Sequence, residues 1–187
     1  GYAVTVVSLH GDDPDAILEG LRRLSAQGVD GIVMIAPQHE ATHLELVRIE
    51  ETPVVTLSAF ESEVVKPIML DSVAGSRKAV RHLVDLGHRV IAHLAGPAGW
   101  AASDARLRGW RDECAAAGVQ AGPVSHGDWN AKSGYLLAES VLAAPGVTAI
   151  YAASDAMAQG ALLSLHERGI RVPEDVSLVG FDDVPEA

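Results

Sequence analysis

Two of the chain's three tryptophans follow strand-like apolar runs, where burial in a core is least expected. They are Trp100 and Trp129; Arg106 comes shortly after the first, and Asp182 follows the last apolar run. An indole ring can cover the apolar C–H face of a sugar, while guanidinium and carboxylate groups can hold its hydroxyls. These residue types therefore predict a cleft that binds a small, carbohydrate-like molecule.

Each of these side chains also has a structural explanation. Trp129 could pack as a lid over a strand end, and Trp110, at a helix-interior spacing, is predicted to lie in the core. Asp155 opens a helical segment, so a helix cap or a partner of the helix dipole is its favoured interpretation. Asp182 and Asp183 could be solvated loop acids, because two adjacent acids are a weak signal.

A different motif predicts metal chemistry. The segment 39–43 reads HEATH and matches H-E-x-x-H, in which two histidines bind zinc and the glutamate activates water. His39 follows Pro37 and falls at or before the start of the helix, so it need not share a face with His43. The extended form of the motif needs a glycine and a histidine where Leu46 and Ile49 stand, and catalytic zinc requires three protein ligands. A zinc hydrolase is a remote alternative, and we expect neither a metal nor another cofactor.

Other catalytic patterns are missing from the sequence. It contains no G-x-G-x-x-G after the first strand, no G-x-x-x-x-G-K-[ST] and no G-x-S-x-G. Cys114 is the single cysteine of the sequence, so an internal disulfide framework is excluded, and this fits a reducing cytoplasm. Cys114 falls inside a predicted helix, where packing is its expected role. We therefore expect a binding protein and not an enzyme.

The composition limits the partners. Hydrophobic residues make up 48% of the 187 residues, yet no apolar run approaches the roughly 20 residues of a membrane-spanning helix. We expect a soluble protein with no membrane partner.

The chain has 14 Lys and Arg against 25 Asp and Glu, a net charge of −11. Such a surface repels phosphate backbones, so these residues by themselves should not bind DNA.

The elements that must position these side chains alternate between strand and helix patterns. Strands are predicted at 3–9, 31–35, 54–57, 68–70, 90–95, 124–126, 149–153 and 176–181. Helices are predicted from 14 to a stop at Gly28, around 44–49, and at 72–86, 103–117, 131–143 and 155–168. Connections that each hold one helix are typical of parallel strands with right-handed crossovers. The pattern predicts a doubly wound α/β fold, with binding residues at the carboxyl ends of the strands.

The irregular stretch 58–66 is the strongest candidate for a boundary between two lobes. It is a long connection with few helix signals, and it separates a group of three predicted strands from a group of about five.

Four segments resemble the LacI/GalR (lactose-repressor) family of bacterial transcription regulators. The longest, RHLVDLGHRVIAHLAGP at 81–97, is similar to that family's EHL-x-x-LGHR-x-IA-x-LAGP stretch. The others follow in the family's order: RLRGW at 106–110, SDAMAQGA at 154–161 and VPEDVSLVGFDD at 172–183. The resemblance spans nearly the whole chain and is densest after residue 70.

The resemblance implies a class I periplasmic-binding-protein-like α/β fold. Two doubly wound parallel-sheet lobes would hold a ligand in the cleft between them, with the N-terminal lobe at 1–69 and the C-terminal lobe at 70–187. Nothing in the sequence resembles the family's DNA-binding headpiece, or the first strand and helix of its N-terminal lobe. We therefore expect a fragment in which the N-terminal lobe is incomplete and the headpiece is absent.

The resemblance also implies roles for individual residues. Arg106 matches the arginine that holds effector hydroxyls or a charged group, and Asp182 matches an acid that accepts hydrogen bonds from the effector. Trp129 matches a tryptophan that stacks on a sugar in some members, and Trp100 would form a second wall.

Three further positions belong to the expected binding site. Ser154 stands where asparagine is usual, ahead of a helix-capping Asp155, and Ser58 stands where many sugar-responsive members carry aspartate. Both serines weaken the transfer of any particular sugar to this chain.

We expect the chain to be the effector-binding domain of a cytoplasmic regulator of this family. The expected partners are a small-molecule effector, most simply a sugar, a second copy in a homodimer, and operator DNA through the missing headpiece alone. Ligand-induced lobe movement would alter operator binding. An extracytoplasmic sugar receptor of a transporter shares this fold and is the alternative; the Gly87-His88-Arg89 and Val172-Pro173 motifs favour the regulator.

Overall fold

The computed structural model describes residues 1–9, 14–35, 52–58 and 66–185. The chain divides into two compact units, Gly1–Leu70 and Asp71–Ala187. Among the helices of the described ranges, none is long and apolar enough to cross a membrane.

The observed elements follow the predicted alternation closely. The first unit contains α1 (Pro14–Ala26), β1 (Ile32–Ile35), β2 (Val54–Ser58) and β3 (Lys66–Met69). The second unit contains α2 (Ser72–Asp85), β4 (Val90–Ala95), α3 (Ala101–Ala117), β5 (Gln120–His126), α4 (Ala131–Leu142), β6 (Ala149–Ala152), α5 (Asp155–Glu167) and β7 (Ser177–Val179).

The first unit is built on a parallel three-stranded sheet with the order β1-β2-β3. Leu21 of α1 and Ile32 of β1 are the buried centre of its core, and Ile17 and Leu24 pack against them. Helical spacing on α1 thus places one apolar stripe on the sheet, as predicted. The predicted helix around 44–49 and the HEATH motif at 39–43 lie outside the described residues.

Two sequence-based predictions for the first unit are wrong. Residues 3–9 form no strand among the described elements, and Tyr2 and Val4 are 90% and 84% exposed. A β-branched run favours an extended backbone, but a strand also needs a neighbouring backbone for its hydrogen bonds. The predicted grouping of three and about five strands also fails. The strand that follows 58–66 pairs with β2, with Ile68 opposite Leu57, and the second sheet has four strands.

The second unit is doubly wound, as predicted. Its parallel sheet has the order β5-β4-β6-β7, and successive residues of the central strands face opposite sides. Leu94 and Ile150 pack in the cluster with α4 and α5. Ile91 and Tyr151 pack in the cluster with α2 and α3. Because both faces are covered by helices, both central strands are apolar except at His93.

The strand order creates a crevice at the carboxyl ends of β4 and β6. The chain leaves β4 for β5 on one side of the sheet and leaves β6 for β7 on the other. Neighbouring strands whose connections run in opposite directions leave a gap at their carboxyl ends, where open α/β sheets bind ligands. We call the surface at these strand ends the switch crevice; it begins at Gly96 and Ala153.

A stacked aromatic group fills the core beneath this crevice. His93 is fully buried, with its ring 4.7 Å from that of Tyr151 and 5.4 Å from that of Trp110. Its Nδ1 lies 2.9 Å from the Tyr151 carbonyl oxygen and therefore carries the proton. Burial lowers the pKa of His93 to about 4. Trp110 is buried as predicted, and so is Cys114.

The buried His93 predicts that the second unit loses stability in mild acid. The unfolded chain takes up a proton at a histidine pKa of about 6.5, whereas folded His93 stays neutral down to about pH 4. The free energy of unfolding should therefore fall by about 2 kcal/mol between pH 7 and pH 5 through this residue alone. Urea denaturation followed by tryptophan fluorescence measures this, since all three tryptophans lie in the second unit.

His93→Phe should remove that part of the pH dependence, whatever its stability at pH 7. The matched control is His82→Gln, which changes an exposed histidine of α2 and should leave the pH dependence intact. Equal pH dependence in the wild-type chain and His93→Phe would contradict the role assigned to His93.

Candidate functional site

Arg106 is the charged centre of the switch crevice. It lies in the second turn of α3, is 9% exposed, and reaches across to the end of β6. Its Nη1 donates a hydrogen bond to the carbonyl oxygen of Ala153, and its Nη2 lies 3.1 Å from Oδ1 of Asp182. Its Nε is buried and has no hydrogen-bond partner among the described residues. A guanidinium stays charged at any physiological pH, so this site holds a fixed cation.

Two aromatic rings pack on the guanidinium. The Cζ atom of Arg106 lies 4.0 Å from the ring centroid of Phe181 and 5.2 Å from that of Trp129. Both distances are within the range of cation–π attraction. The predicted residues Arg106, Trp129 and Asp182 therefore meet in one place.

Trp129 is held in an unusual backbone conformation. Its φ is +71°, in the left-handed region that bulky residues rarely adopt. Its ring lies on Gly96 so closely that a Cβ added there would overlap the indole. The ring also meets that of Trp100 edge-on, at 6.3 Å between centroids and 61° between planes. Trp100 and Trp129 thus form one aromatic corner, as a two-walled site requires.

Phe181 is a contributor that the sequence reasoning missed. Its ring rests on α2 at Gly75, where an added Cβ would lie 2.8 Å away. It also packs against the core beneath α2 and α3. Phe181 is one of only two phenylalanines and immediately precedes Asp182, so its position at a strand end was a usable signal.

Ser154, and not Asp155, is the N-cap of α5. The hydroxyl of Ser154 accepts a hydrogen bond from the backbone N–H of Met157 at 3.3 Å, so Ser154 is the cap of α5. Asp155 is the first residue of the helix, and its Oδ2 accepts a hydrogen bond from the Val184 N–H at 2.9 Å. The prediction that Asp155 caps the helix is wrong, because the shorter Ser154 side chain already occupies that position. Asp155 instead fixes the segment after β7 that carries Asp182.

Asp182 is an exposed charged group of the crevice, with 41% of its side chain accessible. Its φ is +114°, and its carboxylate contacts Arg106 of α3. Partial burial raises the pKa of Asp182, the Arg106 cation lowers it, and the Asp155 carboxylate raises it again. The charge state of Asp182 therefore depends on two neighbouring charges, the Arg106 cation and the Asp155 carboxylate.

Hydrogen bonds in the turn before α4 fix the backbone on either side of Trp129. Oδ1 of Asp128 accepts a hydrogen bond from the backbone N–H of Asn130 at 3.0 Å. The hydroxyl of Ser133 accepts one from the Asp128 N–H at 3.2 Å. Hydrogen bonding of the Asp128 carboxyl with the Ser133 side chain and with the Asn130 backbone N–H lowers its pKa. His126 lies with Nδ1 2.9 Å from the Gly96 carbonyl oxygen. Asp128 thus organises this turn.

Three residues singled out in the sequence do not belong to the second unit, which forms this crevice. Ser58 is the last residue of β2, in the first unit. His39 and His43 lie outside the described ranges, so the zinc motif has no described geometry. Within the described ranges, no group of three His, Cys, Asp or Glu residues could hold a metal ion. Burial raises the pKa of Cys114 to about 11, so this thiol is not an activated nucleophile.

The fold and the crevice define a class of domain that the comparison with known families also identifies. Residues 80–187 match the periplasmic binding protein-like domain, a match that covers more than half of the chain. The chain is therefore a periplasmic-binding-protein-like α/β domain, which is the fold class that the resemblance implied.

Several known proteins are similar to this chain in sequence and fold. The HTH-type transcriptional regulator CelR of Thermobifida fusca is 36% identical over 86% of this chain and 49% of its own length. A CelR–cellobiose complex has a TM-score of 0.77 at 34% identity, covering 90% of this chain and 54% of that one. A lac repressor dimer bound to operator and the anti-inducer ONPF has a TM-score of 0.81 at 32% identity, covering 94% and 62%.

The chain belongs to the LacI family of transcription regulators, as part of the effector-binding region. It spans about half the length of the curated relatives that it matches.

Gly96→Ala should push the Trp129 ring away from the crevice. The new Cβ would overlap the indole, and a tight site of this kind loses roughly 1–3 kcal/mol when a methyl group is forced into it. The displaced ring becomes more hydrated, so the emission maximum of tryptophan fluorescence should move to longer wavelength. The control is the same substitution in a Trp129→Phe background, where the shift should disappear. A shift of equal size in both backgrounds would contradict the contact between Gly96 and Trp129.

Proposed function

We propose that the switch crevice binds a carbohydrate effector and that the intact protein is a transcription regulator controlled by it. The observation that carries this proposal is the buried guanidinium of Arg106. It has an acidic partner at 3.1 Å, two aromatic rings packed on it, and an Nε donor without a partner among the described residues.

The chemistry of the crevice fits binding better than catalysis. The Arg106 guanidinium can donate to a hydroxyl, and the exposed part of the Asp182 carboxylate can accept from a neighbouring one. The indole faces of Trp100 and Trp129 supply apolar surface beside these groups. A few fixed polar groups in a largely apolar crevice are typical of small-molecule recognition. The relative solved with cellobiose supports cellobiose as the first molecule to test.

Operator DNA would be bound by a part of the protein outside this chain. The chain carries a net charge of −11, which opposes contact with phosphates. It matches about half of relatives whose names denote helix-turn-helix regulators. Such a protein would act in the cytoplasm, where its operator lies.

The effector would act through its preference for one arrangement of the protein. A ligand shifts a conformational equilibrium only by as much as it binds one state better than the other. Reversing an equilibrium from 1:99 to 99:1 takes about 5.5 kcal/mol of such preference. Charge-assisted hydrogen bonds to Arg106 and Asp182 that form in one lobe arrangement alone are strong enough to supply much of it.

Arg106→Ala and Asp182→Asn should each weaken cellobiose binding by at least about tenfold. A hydrogen bond to a charged group contributes roughly 1.5–3 kcal/mol, which corresponds to about a 10- to 150-fold change in affinity. Trp129→Ala should weaken binding by roughly 1–3 kcal/mol if the ring stacks on the sugar as aromatic rings stack on other flat ligands. Isothermal titration calorimetry of the chain with cellobiose measures all three.

Arg108→Ala and Asp183→Asn are the matched controls. Arg108 is exposed two residues further along the same helix, and Asp183 is the exposed neighbour of Asp182. Both should leave the affinity within about twofold, a difference of about 0.4 kcal/mol. No binding of cellobiose, lactose, glucose or ribose by the wild-type chain would contradict the proposed function.

We also propose that two copies associate through the outer face of α5. Leu162 and Leu163 on this face are 46% and 52% exposed, and with Gln159 and His166 they line a shallow depression of about 420 Å³. Exposed apolar surface of this kind marks interaction sites. The similarity to a lac repressor dimer supports a second copy as the occupant.

The double substitution Leu162→Glu and Leu163→Glu should convert a dimer to a monomer in analytical ultracentrifugation. Two carboxylates buried against the same face of a partner would be uncompensated charges. Leu136→Glu is the control, because Leu136 is 63% exposed on α4 and lies outside this depression. Dimers that survive the double substitution would move the interface elsewhere.

A further inference from the structure

We propose, on the basis of the effector-binding function above, that the switch crevice selects uncharged carbohydrates and rejects their phosphorylated or carboxylated forms. LacI-family membership alone does not settle the charge of an effector. Here it follows from how the charges of this crevice are already paired.

The only described cation in contact with Asp182 is already neutralised. The Nη2 of Arg106 lies 3.1 Å from Asp182, and its Nη1 is committed to the Ala153 carbonyl. Arginine binds phosphate and carboxylate groups best through a pair of parallel N–H donors. An anionic group of a ligand would therefore have to compete with the Asp182 carboxylate and the Ala153 carbonyl for this guanidinium.

A second acid leaves the crevice with an excess of negative charge. Asp155 is 6% exposed, and its backbone N–H donates to the carbonyl oxygen of Phe181, the residue before Asp182. Its carboxylate also raises the pKa of Asp182. Asp155 accepts a backbone N–H from Val184, which orients the carboxylate but does not neutralise it. One cation therefore faces two carboxylates, and Asp183 adds a third, exposed acid next to them.

Two of the first three N–H groups of α5 already have hydrogen-bond partners. The first residues of a helix attract anions through free N–H groups and the positive end of the helix dipole. In α5, the N–H of Asp155 donates to the Phe181 carbonyl at 2.8 Å, and the N–H of Met157 donates to the Ser154 hydroxyl. The carboxylate of Asp155 already occupies the positive end of the dipole.

A neutral hydroxyl meets none of these obstacles. It can accept from the Arg106 guanidinium and donate to Asp182, so it uses the ion pair without disturbing its charge balance. An anionic group in the same place would add a like charge beside two carboxylates.

The test compares matched neutral and phosphorylated ligands on the wild-type chain by isothermal titration calorimetry at pH 8. The pairs are cellobiose with cellobiose 6′-phosphate, glucose with glucose 6-phosphate, and ribose with ribose 5-phosphate. In any pair that binds, the neutral sugar should bind at least about 100-fold more tightly, or about 2.7 kcal/mol. A 6-O-methyl derivative of the sugar that binds controls for size and should lose less affinity than the phosphate.

The Asp182→Asn variant separates charge from shape. It frees the guanidinium with almost no change in volume, so the preference for the neutral partner should fall at least tenfold, while Asp183→Asn should change it less than threefold. An unchanged preference in Asp182→Asn, or equal changes in both variants, would overturn the inference. Equal or tighter binding of the phosphorylated partner would overturn it but leave the proposed function standing. Failure of every ligand to bind would overturn both.

Discussion

The site depends on keeping one guanidinium charged inside a mostly apolar crevice. Arg106 is removed from water on most of its surface, which is costly unless the charge is paired and its donors are used. The neighbouring structure meets this demand from several directions: a backbone carbonyl just after β6, a carboxylate from the segment after β7, and aromatic rings from the segments after β5 and β7. Each of these elements must be in register for the cation to be tolerated.

The doubly wound sheet explains why those elements converge. Parallel strands bring all their carboxyl ends to one edge, and the change of direction between β4 and β6 opens the edge between them. The helices that follow, α3 and α5, then begin beside the opening. The same arrangement places His93 and Tyr151 in the layer beneath Arg106, so the floor of the site is rigid core. A binding surface on such a floor needs little reorganisation when a ligand arrives.

Most of the second unit could be predicted from its sequence because local signals and tertiary demands agree there. Glycine stops after helices and continuous apolar strands led to bounds within a few residues of those observed for β4 and α4. The run at 3–9 shows the opposite case. Its β-branched residues are a local signal for an extended backbone, but a strand also needs a neighbouring strand, which the local sequence does not specify. Arg106, Trp129 and Asp182 could be grouped because strand ends converge, but the contact of Phe181 with the guanidinium depends on side-chain packing. The capping role of Ser154 depends on which of two adjacent side chains reaches the helix first.

Because the Trp129 ring lies so close to Gly96, the residue types at these two positions, 33 residues apart in the sequence, are coupled. A side chain at 96 and an indole at 129 cannot occupy the same space, so neither position can drift independently during evolution. Descendants of this sequence that gain bulk at the end of β4 must surrender the aromatic wall, and with it part of the surface that sets which molecule is recognised. A change of ligand preference would then be recorded as paired substitutions at these two places.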